Sequence, residues 1–225
     1  MELNGKIACF LGDSITEGVG VKDRANNRYD NRLAKACGLK AVYNYGIGGT
    51  RIAHQYQPSE DACRDMTFCG RAFFLNPEAD LFVVYGGIND YIHGDAPFGK
   101  IGDRTQATFC GAVWYLMNTL RTRYAGKTVV FLTPAHCYFK GVSDAEVSPR
   151  PMKAPDSKPV LGYVEAILET AKEFDIPVLD LYHDLGINPN EEEDRAKYTT
   201  DGLHFNDDGH AVIAAKLQAF LEGQV

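Results

Sequence analysis

Five short apolar runs, each the length of a β-strand, are separated along the chain by stretches with helical periodicity. Each run is almost continuously apolar and rich in β-branched and aromatic residues, whereas a strand with one solvated face alternates apolar and polar residues. Continuous apolar strands are typical of a parallel sheet that is covered on both faces. The predicted strands cover residues 7–11, 41–45, 81–85, 128–132 and 176–181.

Helical periodicity between or after these strands predicts four helices, over residues 25–37, 106–124, 159–174 and 208–222. This alternation of strand and helix predicts an α/β fold, a three-layer α/β/α sandwich with right-handed crossovers. The last helix also carries residues typical of helix ends, because Asp207 or Asp208 can cap its start and Gly223 can end it.

Two segments, residues 51–79 and 134–158, have no clean periodicity and carry turn-rich or charged sequence. We interpret both as loops or short helices on one rim of the sheet, the place where lids and binding loops usually lie. No internal repeat, low-complexity tract or linker divides the chain. The sequence therefore predicts a single domain over residues 1–225.

The charge balance argues against some classes of partner. The chain has 225 residues, and 23 lysines and arginines against 30 aspartates and glutamates give a formal net charge of −7. Because no basic run occurs, we expect neither nucleic acid nor a membrane as a partner. No apolar stretch approaches the roughly 20 residues that cross a bilayer, and no signal-like segment opens the sequence. We therefore expect a cytoplasmic protein whose six cysteines stay reduced.

Polar motifs follow three of the predicted strands and precede the last helix. In parallel sheets, ligands collect outside the carboxyl ends of the strands, so these motifs are expected to converge on one rim. The motifs are Gly12-Asp13-Ser14, Asn44-Tyr45-Gly46-Ile47-Gly48-Gly49-Thr50, Gly86-Gly87-Ile88-Asn89-Asp90 and Asp201-Gly202-Leu203-His204.

A serine, a histidine and an aspartate on one rim match the chemistry of a nucleophilic hydrolase. Ser14 would attack, His204 would take its proton, and Asp201 would orient the imidazole from three residues away. The candidate donors to a tetrahedral oxyanion are the backbone N–H groups of Ser14 and Gly49 and the side-chain amide of Asn89. The neighbouring Asp90 is acceptor-only when ionised, and we interpret it as part of an Asx turn.

Together, in this order and each after a predicted strand or before the last helix, the four motifs resemble those of the SGNH (GDSL-type) hydrolases. The family's first block is similar to residues 12–18, its second to 44–49, its third to 87–90 and its last to 201–204. The resemblance covers about residues 6–222. It implies a flavodoxin-like sandwich with a five-stranded parallel sheet, ester hydrolysis through an acyl-serine intermediate, and no metal.

The resemblance supports the same set of site residues, namely Ser14, Gly49, Asn89, Asp201 and His204. Gly49 is preferred to Gly48 because it lies five residues beyond Asn44, as in the family's second block. Gly48 stays the alternative. His54 and His93 follow motifs and are interpreted as ordinary rim residues.

The two rim segments favour a small acyl group and a carbohydrate or other small-molecule ester as substrate. They hold hydrogen-bonding and aromatic side chains but no long apolar stretch suited to a fatty chain. We therefore predict a short-chain or carbohydrate acetylesterase. The sequence leaves open the natural substrate and the oligomeric state.

Four other interpretations of the sequence are alternatives to this prediction. A lysophospholipase or thioesterase is the alternative enzyme, and a noncatalytic carbohydrate-binding module is the alternative on the same fold. A flavodoxin-like cofactor protein is disfavoured because residues 12–20 lack the phosphate-cradling glycine spacing. A metal site at His204, Asp207, Asp208 and His210 is disfavoured because the aspartates suit helix capping and no distant ligand completes the pattern. We predict no cofactor.

Overall fold

A computed structural model describes residues 2–223. The predicted domain over residues 1–225 includes Met1, Gln224 and Val225, which lie outside the described residues. Seven strands, numbered β1 to β7 along the described chain, are Ile7–Gly12, Ala41–Gly46, Leu81–Tyr85, Thr128–Leu132, Tyr138–Phe139, Val142–Ser143 and Val178–Leu179. Five form one parallel sheet in the spatial order β2-β1-β3-β4-β7, and β5 and β6 form a separate antiparallel hairpin.

Ten α-helices, numbered α1 to α10, lie within the same residues. Their bounds are Ser14–Glu17, Arg24–Asn27, Tyr29–Cys37, Phe68–Arg71, Ile88–Ile92, Phe109–Arg123, Val160–Glu173, Leu181–Asp184, Glu192–Tyr198 and Asp207–Glu222. Two 3₁₀ helices, Ala62–Asp65 and Ala72–Phe74, flank α4. Among residues 2–223, no helix combines the length and the apolar character that a membrane span requires.

The sheet is buried on both faces, which confirms the predicted three-layer sandwich. Alternate residues of β1 point into opposite layers: Cys9 and Leu11 belong to one buried cluster, and Phe10 belongs to the other. Helices α6 and α7 cover the first face, and helices α3 and α10 cover the second. The near-continuous apolar strands reflect this double burial.

Four predicted strands agree with the structure to within one residue, and the fifth is shorter than predicted. Residues 176–181 were expected to form a strand, but only Val178–Leu179 pair with β4. The carboxylate of Asp180 instead accepts the backbone N–H groups of Tyr182 and His183 and caps α8. The chain therefore turns into a helix where the apolar run still continues.

Two helix boundaries also differ from the prediction. The helix predicted over residues 25–37 is interrupted at Arg28, whose backbone is extended with ψ of 140°. This break lets the backbone N–H of Tyr29 donate to Nδ1 of His210 at 3.2 Å, which ties α3 to α10. Helix α10 is capped by Asn206, not by Asp207 or Asp208, because the Asn206 side chain accepts the N–H groups of Asp208 and Gly209.

The two rim segments differ in their content. Residues 51–79 carry the short helices that the sequence predicted. Residues 134–158 instead hold the hairpin of β5 and β6, which the prediction of loops or short helices did not include. The hairpin lies against the last motif, since the Tyr138 N–H donates to the Gly202 carbonyl at 2.9 Å.

Candidate active site

Strands β1, β2 and β3 end at one level of the sheet, because Gly12 is in register with Gly46 and with Tyr85. Directly after β1, Asp13 caps α1 by accepting the N–H of Ile15 at 3.0 Å. Burial raises the pKa of the Asp13 carboxyl to about 6, although this hydrogen bond and the neighbouring His204 and Arg71 oppose the shift. The turn places Ser14 at the first position of α1, facing the rim.

Ser14, His204 and Asp201 form a continuous hydrogen-bonded chain. His204 Nε2 lies 2.9 Å from Ser14 Oγ, and His204 Nδ1 lies 2.7 Å from Asp201 Oδ2. The second Asp201 oxygen accepts the backbone N–H groups of His204 at 2.8 Å and Leu203 at 3.1 Å. Burial raises the pKa of Asp201, but the hydrogen bonds from His204 and Leu203 outweigh it and hold the pKa below its usual range. Asp201 therefore stays ionised beside the imidazole.

The loop that carries Asp201 and His204 is held from two sides. Thr199 and Phe205 form a β-bridge across the base of the loop. At its tip, Gly202 has φ of +83°, and a Cβ built there would come 1.9 Å from the carbonyl oxygen of Tyr138. Only glycine accommodates both the left-handed backbone and this close approach. The hairpin of β5 and β6 therefore fixes the loop in place.

Two backbone N–H groups on this rim are available to a ligand. The N–H of Gly48 donates to Glu17 Oε2 at 2.8 Å. Within residues 2–223, no acceptor takes up the N–H of Gly49 or that of Ser14. Gly49 has φ of +74°, so the turn that presents its N–H requires a left-handed residue. Of the two adjacent glycines, Gly49 is the one whose donor is unengaged.

The side chain of Asn89 reaches the same rim from the start of α5. Its Nδ2 donates to the Thr50 carbonyl at 3.2 Å, and its Oδ1 lies 3.0 Å from His93 Nε2. One of the two amide hydrogens is engaged by Thr50, which leaves the other for a ligand. Burial, together with the charges of Arg51, Arg64, Arg150 and Lys153, lowers the pKa of His93 to about 4. His93 is therefore neutral at neutral pH.

A buried arginine forms hydrogen bonds to several segments of the rim. Arg71 donates to the carbonyl oxygens of Gly12, the last residue of β1, and of Tyr45, the last but one of β2. It also donates to Thr50 Oγ1 at 2.8 Å. Burial lowers the pKa of Arg71 to about 10, and the charge of Asp13 opposes that shift, so the guanidinium stays charged. One side chain thus fixes the positions from which Ser14 and the turn at 47–50 begin.

Asp90 has a different role from the Asx turn that the sequence predicted. Its carboxylate oxygens accept the N–H groups of Ile52 at 2.9 Å and Ala53 at 3.0 Å. Burial raises its pKa to about 6, and these two hydrogen bonds oppose the shift. Asp90 thereby anchors the start of the rim segment 51–79 beneath Asn89.

The four residues weighed as metal ligands are held apart by other contacts. Asp207 accepts the N–H of Lys22 and the side-chain amide of Asn27. His210 is buried and accepts the Tyr29 N–H, and burial lowers its pKa to about 3. Residues 2–223 bring no three His, Cys, Asp or Glu side chains together in a metal-binding cluster.

Ser14 and His204 of the triad, together with Gly49 and Asn89, line an open cleft of about 950 Å³. Its walls come from the ends of β1, β2 and β3, from the rim segment 51–79 and from the hairpin side of segment 134–158. Polar and charged side chains predominate among the lining residues, which include Glu17, Arg51, Gln55, Ser59, Arg64, His93, Lys140 and Arg150.

Comparison with known families places the chain in a hydrolase family. The chain matches the model of the GDSL-like Lipase/Acylhydrolase family over residues 10–212. The chain therefore belongs to the GDSL-like lipase/acylhydrolase family, which confirms the resemblance carried by its motifs. No curated protein matches the chain.

Solved structures share the fold over nearly the whole chain. A Lactobacillus plantarum protein is 30% identical, with 99% of each chain covered and a TM-score of 0.82. A possible lipase from Chitinophaga pinensis is 21% identical, covering 97% of this chain and 98% of that one, with a TM-score of 0.68. A carbohydrate acetylesterase family member from Sinorhizobium meliloti is 20% identical, covering 97% and 98%, with a TM-score of 0.64.

The structure brings together every site residue that the sequence singled out, and it adds three. Glu17, Arg71 and His93 each fix a part of the rim that the motifs alone did not explain. Glu17 lies within the first motif, so its place in the sequence was a usable signal. Arg71 acts on backbone carbonyls far away in sequence, which no local pattern reveals.

Proposed function

We propose that the chain is a serine esterase that removes acetyl groups from small or carbohydrate-linked esters. Two distances carry the proposal. His204 Nε2 lies 2.9 Å from Ser14 Oγ, and His204 Nδ1 lies 2.7 Å from Asp201 Oδ2. A noncatalytic binding module has no chemical need for this aligned chain of three groups.

In the proposed reaction, Ser14 Oγ attacks the ester carbonyl carbon while its proton passes to His204 Nε2. The carbonyl π bond breaks and its electron pair becomes the oxyanion of a tetrahedral intermediate. As the intermediate collapses, the bond to the alcohol oxygen breaks and His204 returns the proton to that oxygen. A water molecule then repeats the sequence on the acyl-serine, releasing acetate and regenerating Ser14. Asp201 holds the imidazole tautomer throughout.

The oxyanion would be stabilised by three donors from three segments of the rim. The backbone N–H groups of Ser14 and Gly49 are unengaged within residues 2–223, and Asn89 Nδ2 has a second hydrogen to donate. Donors that are already fixed before the reaction stabilise developing charge at little reorganisation cost. We assign Gly49, not Gly48, because Glu17 occupies the N–H of Gly48.

The polar lining of the cleft supports a small acyl group and a polar alcohol. A fatty chain gains its binding free energy by burying apolar surface, and the cleft offers mainly charged and hydrogen-bonding side chains. The similarity in fold to a carbohydrate acetylesterase family member agrees with this preference.

The test is hydrolysis of p-nitrophenyl esters of increasing acyl length by the wild type and by Ser14→Ala. We expect the highest kcat/KM on the acetate and no turnover above background in the variant. Ser143→Ala removes a hydroxyl on the hairpin outside the cleft and serves as the matched control.

Each other result has a definite meaning. A maximum at long acyl chains would replace the acetylesterase by a lysophospholipase or thioesterase. Turnover by a folded Ser14→Ala variant would exclude Ser14 as the nucleophile. No turnover of acetyl esters by the folded wild type, including acetylated sugars, would favour the binding module.

A further inference from the structure

A second cavity of about 310 Å³ opens beside the cleft and shares part of its wall with it. Both are lined by Ile92, Phe139, Lys140 and Arg150. The rest of the side cavity is mainly apolar and is formed by Tyr91, Cys137, Val142, Ser148 and Pro149. We call this space the side cavity.

Within the described part of the chain, two cations around the side cavity have neither a hydrogen-bond partner nor a carboxylate partner. Ser148 Oγ donates to the Ile92 carbonyl at 2.7 Å, and the Tyr91 hydroxyl lies 3.0 Å from the Glu146 carbonyl oxygen. By contrast, in residues 2–223 no carboxylate lies within 4.0 Å of the Lys140 ammonium or the Arg150 guanidinium, and neither group forms a hydrogen bond. Two unpaired cations in a chain of net charge −7 form a local site for a negative charge.

Lys140 occupies a backbone position that disfavours lysine. It has φ of +54° and is followed by Gly141 with φ of +82°, in a two-residue turn between the paired residues Phe139 and Val142. Such turns prefer Asn, Asp or Gly at the first position, because other side chains are strained there. Residues that break a local preference cluster at functional sites.

The turn also places Lys140 on the wall of the cleft that holds Ser14 and His204. Its Nζ lies 5.3 Å from the centre of the Phe139 ring, and that ring lies 6.3 Å, edge-on, from the His204 imidazole. Arg150, also in the segment 134–158, lines the same cleft as His93, and its charge helps to lower the pKa of that histidine. Both cations therefore line the same cleft as Ser14 and His204.

We propose that Lys140 and Arg150 bind an anionic group, a carboxylate or a phosphate, on the alcohol side of the ester. Resting on the proposed function, this narrows the substrate class to acetylated sugar acids or acetylated sugar phosphates. The alcohol side is chosen because an acetyl group is too small to carry the charge.

The four carboxylates that line the main cleft form no ion pair with Lys140 or Arg150 within 4.0 Å. Glu17 accepts the Gly48 N–H, Asp61 accepts the Cys63 N–H, and Asp95 accepts the N–H groups of Tyr56 and Gln57. The fourth, Glu60, is exposed to solvent. None of the four lines the side cavity.

The test compares kcat/KM on three monoacetylated probes: methyl glucoside, methyl glucuronoside and methyl glucoside 6-phosphate. We expect the wild type to prefer at least one anionic ester by about tenfold or more, mainly through KM. In the double variant K140Q/R150Q the ratio of anionic to neutral ester should fall to about one. The control K35Q/K216Q removes the same charge from exposed positions outside both cavities and should keep the ratio.

The two anionic probes separate a carboxylate site from a phosphate site. A wild-type ratio near one for both, or an unchanged ratio in K140Q/R150Q, would overturn the inference while leaving the esterase intact. If no ester is turned over, the proposed function fails instead. In that case, calorimetric titration of Ser14→Ala with methyl glucuronoside and methyl glucoside 6-phosphate tests the anion site directly. Binding to Ser14→Ala that is lost in the triple variant S14A/K140Q/R150Q supports the anion site. No binding to Ser14→Ala overturns it.

Discussion

His93 Nε2, at the C-cap of α5, lies 3.0 Å from Asn89 Oδ1 in the first turn of that helix. Because the pKa of His93 is lowered to about 4, the ring is neutral and can act as an N–H donor to that oxygen. The contact fixes which end of the Asn89 amide faces the cleft. His93 is thereby placed to orient the Asn89 amide.

Replacing Asn89 should impair the chemical step more than substrate binding. We expect Asn89→Ala to lower kcat by about a hundredfold to a thousandfold, because the variant loses a donor that acts on the developing oxyanion. Steady-state kinetics on p-nitrophenyl acetate measure the effect. A loss confined to KM would contradict the oxyanion role.

His93 should act through Asn89. Without its hydrogen bond the amide can rotate, so we expect His93→Ala to lower kcat by about tenfold. His93→Gln keeps an N–H donor and should restore most of that loss. The double variant with Asn89→Ala serves as the control, and it should be no slower than Asn89→Ala alone. Additive losses would show that His93 acts independently of Asn89.

Glu17 should control the turn that presents Gly49. Glu17→Ala removes the acceptor of the Gly48 N–H, so the turn loses a fixed contact and kcat should fall by about tenfold. Glu17→Gln keeps a side-chain carbonyl as acceptor and should stay within a factor of about three of the wild type. Equal kcat in wild type and Glu17→Ala would show that the contact does not position the donor.

The charge and the two carboxylate oxygens of Asp201 should both contribute to kcat. Asp201→Asn can keep one hydrogen bond but favours the wrong imidazole tautomer, so we expect kcat to fall by roughly a thousandfold with an unchanged fold. Circular dichroism and thermal unfolding verify the fold. Activity within about tenfold of the wild type would mean that another group orients His204.

Asp90 should make the stability of the protein depend on pH in a predictable direction. Its pKa is raised from 3.8 to about 6, so the folded state binds this proton more tightly than the unfolded chain. The Asp90 contribution to the free energy of unfolding therefore falls as the pH rises from about 4 to about 6, by about 3 kcal/mol at most.

Denaturant titrations of wild type and Asp90→Asn across this range measure the contribution as a difference, because all other titrating groups are common to both proteins. We expect the wild type to lose stability relative to the variant as the pH rises, and then to reach a plateau. A difference that stays flat from pH 4 to pH 6 would show that burial does not raise the pKa of Asp90.

The local pattern of apolar residues was sufficient to predict most strands of the sheet. Strands that are covered on both faces need apolar residues at every position, so their signal is strong and their bounds were predicted closely. The exception is residues 176–181, where the apolar run continues past the strand. There the strand ends because Asp180 caps the next helix, and a pattern of apolar residues carries no information about this cap.

Contacts between segments that are distant in the chain could not be predicted from the sequence. The carboxylate of Asp90 meets backbone N–H groups 37 and 38 residues away, and Arg71 reaches Gly12 across 59 residues. The hairpin of β5 and β6 was missed because Lys140 stands where a turn of its type usually has Asn, Asp or Gly. The motif residues were found because each follows a strand or starts a helix, where position along the chain fixes position on the rim.

The two hydrogen-bonded groups His204 and Ser14 are 190 residues apart in the chain. A ribosome makes the serine early and the histidine late, so a nascent chain carries the first group for most of its synthesis without the second. The loop that bears His204 is also held by the hairpin through Gly202 and Tyr138, which must already be folded. On the proposed mechanism, the growing polypeptide cannot hydrolyse esters until residue 204 has left the exit tunnel.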